Sequence, residues 1–89
     1  MWFRNNFKED LIFSVPNERT SGWNKMIAIG MLPGVSDLIV VQPDRVMFVE
    51  VKDYKGLQRP NQIIFEQKVK ALGYDYHLVR SLDDFKRIF

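Results

Sequence analysis

The chain has 89 residues, 46% of them hydrophobic and 13% aromatic, which predicts one folded domain over residues 1–89 and argues against a disordered chain. It contains no cysteine, so a disulfide staple is excluded, and a core this small is expected to gain stability from bound metal or a second copy of the chain. A net charge of +2 permits nucleic-acid binding without requiring it; no apolar run approaches the roughly 20 residues of a membrane span, and the leading Met1-Trp2-Phe3-Arg4 lacks a secretory pattern, so a cytoplasmic setting is expected.

Residues 2–10 read as a short helix or a frayed arm. Leu11-Ile12-Phe13-Ser14-Val15, ended by Pro16-Asn17, predicts a strand of β-branched and aromatic residues. A short helix is expected over residues 23–29, with Ser21 or Gly22 near its start, Gly30 as its stop and a turn at Pro33-Gly34. Asp37-Leu38-Ile39-Val40-Val41 predicts a strand, Pro43-Asp44 a turn, and residues 45–52 a second strand. Side chains alternate along a strand, so Val46, Phe48, Glu50 and Lys52 share one face of it.

A polar loop follows over residues 53–59, with Gly56 at its centre. Pro60 suits the first turn of a helix that reaches Leu72 and is closed by Gly73; Phe65, Val69 and Leu72 form its core-facing stripe. Residues 74–80 predict a further strand, and Ser81 caps a last short helix. The order is strand, short helix, hairpin, helix, strand, helix, and the fold class is mixed α/β.

The hairpin carries the chemistry. A symmetric turn at Pro43-Asp44 pairs Val41 with Val46, Ile39 with Phe48 and Asp37 with Glu50. Directly opposed residues have Cβ atoms about 4.5–5.5 Å apart, so two carboxylates face each other with Lys52 further along the Glu50 face. Opposed like charges destabilise a sheet. A divalent cation offsets that cost, because Mg²⁺ takes one or two carboxylates together with water and substrate phosphate. It would activate a water and polarise a phosphoryl group, and Lys52 would position that water or stabilise charge on the phosphate. Each feature alone also has a plain structural reading: acids at strand starts are common on solvated faces, and Lys52 suits an ion pair with Glu50 or Asp37. Gln62 heads the helix stripe, and pattern alone favours a capping role for it.

Gly34-Val35-Ser36-Asp37, then Phe48-Val49-Glu50-Val51-Lys52, then Gln62 resembles the VRR-NUC branch of the PD-(D/E)XK nuclease superfamily. Pro16-Asn17, Gly30-Met31 before Pro33-Gly34, and Ala71-Leu72-Gly73-Tyr74 leading to Val79-Arg80-Ser81 extend the similarity across about residues 12–85. The resemblance implies a restriction-endonuclease-like core, a mixed central sheet flanked by helices. It implies Mg²⁺ or Mn²⁺ held by Asp37, Glu50 and the backbone carbonyl of Val51. Lys52 becomes the catalytic lysine, and Gln62 supports the site from the following helix. It further implies a stand-alone protein of phage or prophage type, organised like a Holliday junction resolvase and working as a homodimer on branched DNA. The family's longer first helix, which carries an acid for the metal site, is shortened here; Glu9 and Glu18 are the nearby acids, and neither is at an equivalent position.

Phosphate contacts are expected from Lys55 and Arg59 in the loop after Lys52, then from Arg19 and Lys25. Trp23 reads as core or dimer interface, and His77 as a strand residue without metal-ligand spacing. The rival to a metal-dependent DNA endonuclease is a non-catalytic nucleic-acid-binding or assembly module that keeps the fold.

Overall fold

The structure, a computed structural model, describes residues 1–15 and 34–89. The helix expected over residues 23–29, and with it Glu18, Arg19, Trp23 and Lys25, lies outside the described residues.

A short helix, α1 (Trp2–Asn6), leads into β1 (Leu11–Ser14), and the hairpin follows as β2 (Leu38–Gln42) and β3 (Arg45–Val51). Helix α2 (Pro60–Ala71), strand β4 (Asp75–Val79) and helix α3 (Leu82–Lys86) complete the described chain. The strands form one sheet in the order β1-β2-β3-β4. The first three are antiparallel neighbours, and β4 runs parallel to β3. A parallel pair requires a crossover, and α2 supplies it. No helix among the described residues is long and apolar enough to cross a membrane.

Strand alternation divides the packing into two layers. Val40 is paired with Met47, and Leu38 with Val49; these side chains turn to the face covered by α1 and α3. There Phe3, Ile12, Val40, Met47, Val49, Val79 and Phe85 form the buried core. Phe3 and Phe89 have ring centroids 5.3 Å apart, as do Phe7 and Phe89, so the two terminal segments close on each other through aromatic rings. On the other face Phe48 meets Phe65 of α2 at 5.7 Å, and Phe65 meets Tyr76 of β4 at 6.3 Å. The carboxylate side of β3 therefore lies under α2.

Helix α2 starts and stops for identifiable reasons. Pro60 opens it, and the Gln62 side chain accepts the Arg59 backbone N–H at 2.7 Å, satisfying a donor the helix leaves free. At the far end the Gly73 N–H donates to Lys70 O and the Tyr74 N–H to Val69 O, a Schellman closure. It needs the left-handed backbone of Gly73, at φ 89°. The predicted stripe is corrected here. Val69 is buried, but Leu72 is 75% exposed, because the helix ends at Ala71 and the closing turn swings Leu72 away from the sheet. Helix α3 is capped as expected, with Ser81 Oγ accepting the Asp84 N–H at 3.0 Å.

Candidate active site

The hairpin register is the expected one. Val41 pairs with Val46, Ile39 with Phe48, and Leu38 with Val49, where the ladder ends; Asp37, one residue before it, acts on the Glu50 carboxyl by hydrogen bonding and charge. The two-residue turn is made by Pro43 and Asp44, with Asp44 in the left-handed region at φ 66°, where Asp is tolerated better than most residues. Asp37 lies just before β2 and is fixed at two points. Its carbonyl accepts the Val15 N–H at 2.9 Å, and its Oδ2 accepts the Val51 N–H at 2.8 Å.

Gly34 sets how close the Asp37 loop comes to α2. Its φ is 87°, and a Cβ there would lie 2.5 Å from the Asn61 carbonyl oxygen, so no side chain fits. Ser36 is wholly buried, and its hydroxyl donates to Leu38 O at 3.2 Å. The loop is thereby pressed onto the first turn of α2, one residue from Gln62.

Glu50 is a buried charge-bearing group, 1% exposed. Its Oε2 is buried with no hydrogen bond closed to it. Its pKa is pushed up to about 8, first by burial and then by the Asp37 carboxyl through hydrogen bonding and charge, against the opposing pull of Lys52 and the Tyr76 hydroxyl. Lys52 Nζ stands 3.9 Å from Glu50 Oε1 and donates to Gln62 Oε1 at 2.9 Å. One Gln62 oxygen thus serves both the cap of α2 and the ammonium of Lys52.

The donor set fits a hard divalent cation. Asp37 and Glu50 stand close enough that the Asp37 carboxyl disfavours the Glu50 charge, and Glu50 keeps an unpartnered buried oxygen. Among the described residues no group of three or more His, Cys, Asp or Glu side chains gathers. His77 sits half-buried on β4 outside any such cluster.

The loop after Lys52 folds back on it. A Cβ at Gly56 would lie 3.4 Å from Lys52 Cβ, and the Arg80 guanidinium donates to the carbonyls of Asp53 at 2.8 Å and Gly56 at 2.7 Å. Lys55 and Arg59 are exposed on this loop. Sequence reasoning missed three residues around the site: Arg80, Tyr76 and Gln58. Gln58 Nε2 donates to the Tyr76 hydroxyl oxygen at 3.1 Å and to Glu66 Oε1 at 2.9 Å. Alternation along β4 could have placed Tyr76 on the Glu50 face, but only with the β3–β4 register in hand.

The first helix supplies no acid. Its five residues, Trp-Phe-Arg-Asn-Asn, bury Phe3 in the opposite layer.

Among the described residues the fold is a four-stranded mixed α/β sheet with helices on both faces and an acid pair and a lysine under the crossover helix. It is the VRR-NUC fold: the structure superposes on that of a VRR_NUC domain protein with a TM-score of 0.71 at 21% sequence identity. The match covers 86% of this chain and 62% of that one, so the chain spans less than two thirds of the neighbour's length. No protein-family model matches the sequence, and no curated protein matches it.

Proposed function

We propose that this chain is a Mg²⁺- or Mn²⁺-dependent endonuclease that hydrolyses phosphodiester bonds in branched DNA, with four-way junctions as the leading substrate. The observation that carries this reading is the Asp37–Glu50 pair, in which Glu50 is buried and keeps an unpartnered oxygen, beside a lysine held by Gln62. Asp37, Glu50 and the carbonyl of Val51 would hold the cation, which supplies charge neutralisation and a more acidic water. The chain's own residues do the rest. Lys52, fixed by Gln62, directs its ammonium at the attacking water or at a phosphate oxygen, where it stabilises the charge that builds up in the transition state. The Val51 N–H holds the Asp37 carboxylate in one orientation, so the ligand pair is set before substrate arrives.

Lys55 and Arg59 stand on the loop that wraps Lys52 and are suited to backbone phosphates; Arg19 and Lys25 are proposed to extend that contact. A homodimer would set two such sites on a two-fold symmetric junction, in a cytoplasmic, phage or prophage setting. The test is cleavage of a labelled four-way junction with Mg²⁺ or Mn²⁺ by wild type, Asp37→Ala and Lys52→Ala, with solution mass measured with and without junction. Cutting by wild type alone is expected. Equal cutting by all three would remove the site assignment, and binding without cutting by any would favour the non-catalytic module.

A further inference from the structure

The side chains that surround Glu50 on the α2 side form a hydrogen-bonded row, and the direction of each bond in it can be worked out. Lys70 Nζ donates to Glu66 Oε2 at 2.6 Å, and that contact holds the Glu66 carboxyl below the ordinary carboxylate range, with Gln58 helping and partial burial opposing. An ionised carboxylate only accepts. Gln58 must therefore turn its amide NH₂ towards Glu66, as it does at 2.9 Å. The same nitrogen lies 3.1 Å from the Tyr76 hydroxyl oxygen, so its second hydrogen goes there and the Tyr76 oxygen is an acceptor in that contact.

A phenol has one hydrogen to give. With Gln58 donating to its oxygen, Tyr76 must place that hydrogen elsewhere. Tyr76 is buried; it pairs with Phe48, while Glu50 pairs with Leu78. Tyr76 and Glu50 are thus diagonal neighbours on one face, within reach of a long side chain. Among the described residues the one buried side-chain nitrogen or oxygen without a hydrogen bond is Glu50 Oε2.

We propose that Tyr76 is a positioning residue for Glu50: the row Lys70–Glu66–Gln58 commits its hydroxyl hydrogen to the Glu50 carboxylate and so holds that carboxylate ready for a divalent cation. A carboxylate offers about four acceptor sites, so this donation leaves room for the cation that Asp37 and Glu50 would share. The inference rests on the metal-dependent nuclease reading and deepens it, since it names a residue that acts on metal affinity without touching the metal.

The test is Mn²⁺ binding by titration calorimetry on the full chain, paired with thermal unfolding and junction cleavage. Tyr76→Phe is expected to weaken Mn²⁺ binding about 10-fold or more, the usual effect of removing a partner that orients a metal ligand, while the melting temperature stays within a few degrees. Gln58→Leu frees the hydroxyl to turn to Glu66 and is expected to weaken Mn²⁺ binding by a smaller factor. It keeps the tyrosine ring in place and carries the test if Tyr76→Phe fails to fold. A purely structural role would lower melting temperature in either variant and leave Mn²⁺ affinity unchanged. Wild type that binds Mn²⁺ and cuts, beside folded variants with unchanged Mn²⁺ affinity, overturns this inference and leaves the nuclease reading standing. Wild type that binds no Mn²⁺ overturns both.

Discussion

Replacing Glu50 with Gln should make the metal-free protein more stable at neutral and alkaline pH. The Glu50 carboxyl titrates near 8 in the folded chain against an ordinary value of 4.5, because burial and then Asp37 disfavour its charge more than Lys52 and Tyr76 favour it. The folded state holds that proton more tightly than the unfolded state does. The resulting stability is present in full below pH 4.5 and is lost as pH rises towards 8. Between 4.5 and about 8, at about 1.4 kcal/mol per pH unit, the ceiling is about 5 kcal/mol, and about 3 kcal/mol is already gone at pH 7. Glu50→Gln keeps the shape and removes the charge. In urea unfolding with EDTA present, the variant should match wild type within about 1 kcal/mol near pH 5 and exceed it by about 3 kcal/mol at pH 7. For a domain of this size that gap is a melting-temperature difference of about 12–24 °C. Saturating Mn²⁺ should reverse the order, since it binds the folded wild type and not the variant. A stability gap that does not change with pH, or a metal-free wild type that gains stability relative to the variant from pH 5 to 8, would refute this account of the acid pair.

Further consequences concern the supports of the site. Gly34→Ala puts a Cβ 2.5 Å from the Asn61 carbonyl in a left-handed conformation, and should cost about 2 kcal/mol or more in chemical unfolding; junction cleavage should fall with it as the Asp37 loop lifts from α2. Gln62→Ala removes both the Arg59 cap and the Lys52 contact; a stability loss of about 1 kcal/mol should accompany a fall in kcat larger than any change in KM. Arg80→Ala releases the carbonyls of Asp53 and Gly56, and hydrogen exchange over residues 53–59 should quicken while the sheet amides keep their protection. Phe85→Ala opens the core shared by α1 and α3 and should cost about 3–5 kcal/mol in urea unfolding.

The separation of what the sequence determines from what tertiary structure decides follows the range of the forces involved. The hairpin is local: Pro43-Asp44 admits a two-residue turn, side-chain period 2 does the rest, and the register that pairs Leu38 with Val49, one step short of Asp37 and Glu50, can be counted along the chain. The α2 start at Pro60, its stop at Gly73 and the Ser81 cap are likewise set by neighbours in sequence. Leu72 marks where that reasoning overreaches, since periodicity counts residues but the Schellman turn decides where the stripe ends. Burial of Glu50, the pairing of Gln62 with Lys52, the clamp from Arg80 to the 53–59 loop and the row from Lys70 to Tyr76 all join residues brought together by the parallel β3–β4 pairing and the crossover helix. No local pattern encodes which residue of β4 lies beside Glu50, because that register is chosen by how α2 packs across both strands. The sequence alone therefore names the acids and the lysine, and only the assembled sheet with its crossover helix takes Glu50 out of water.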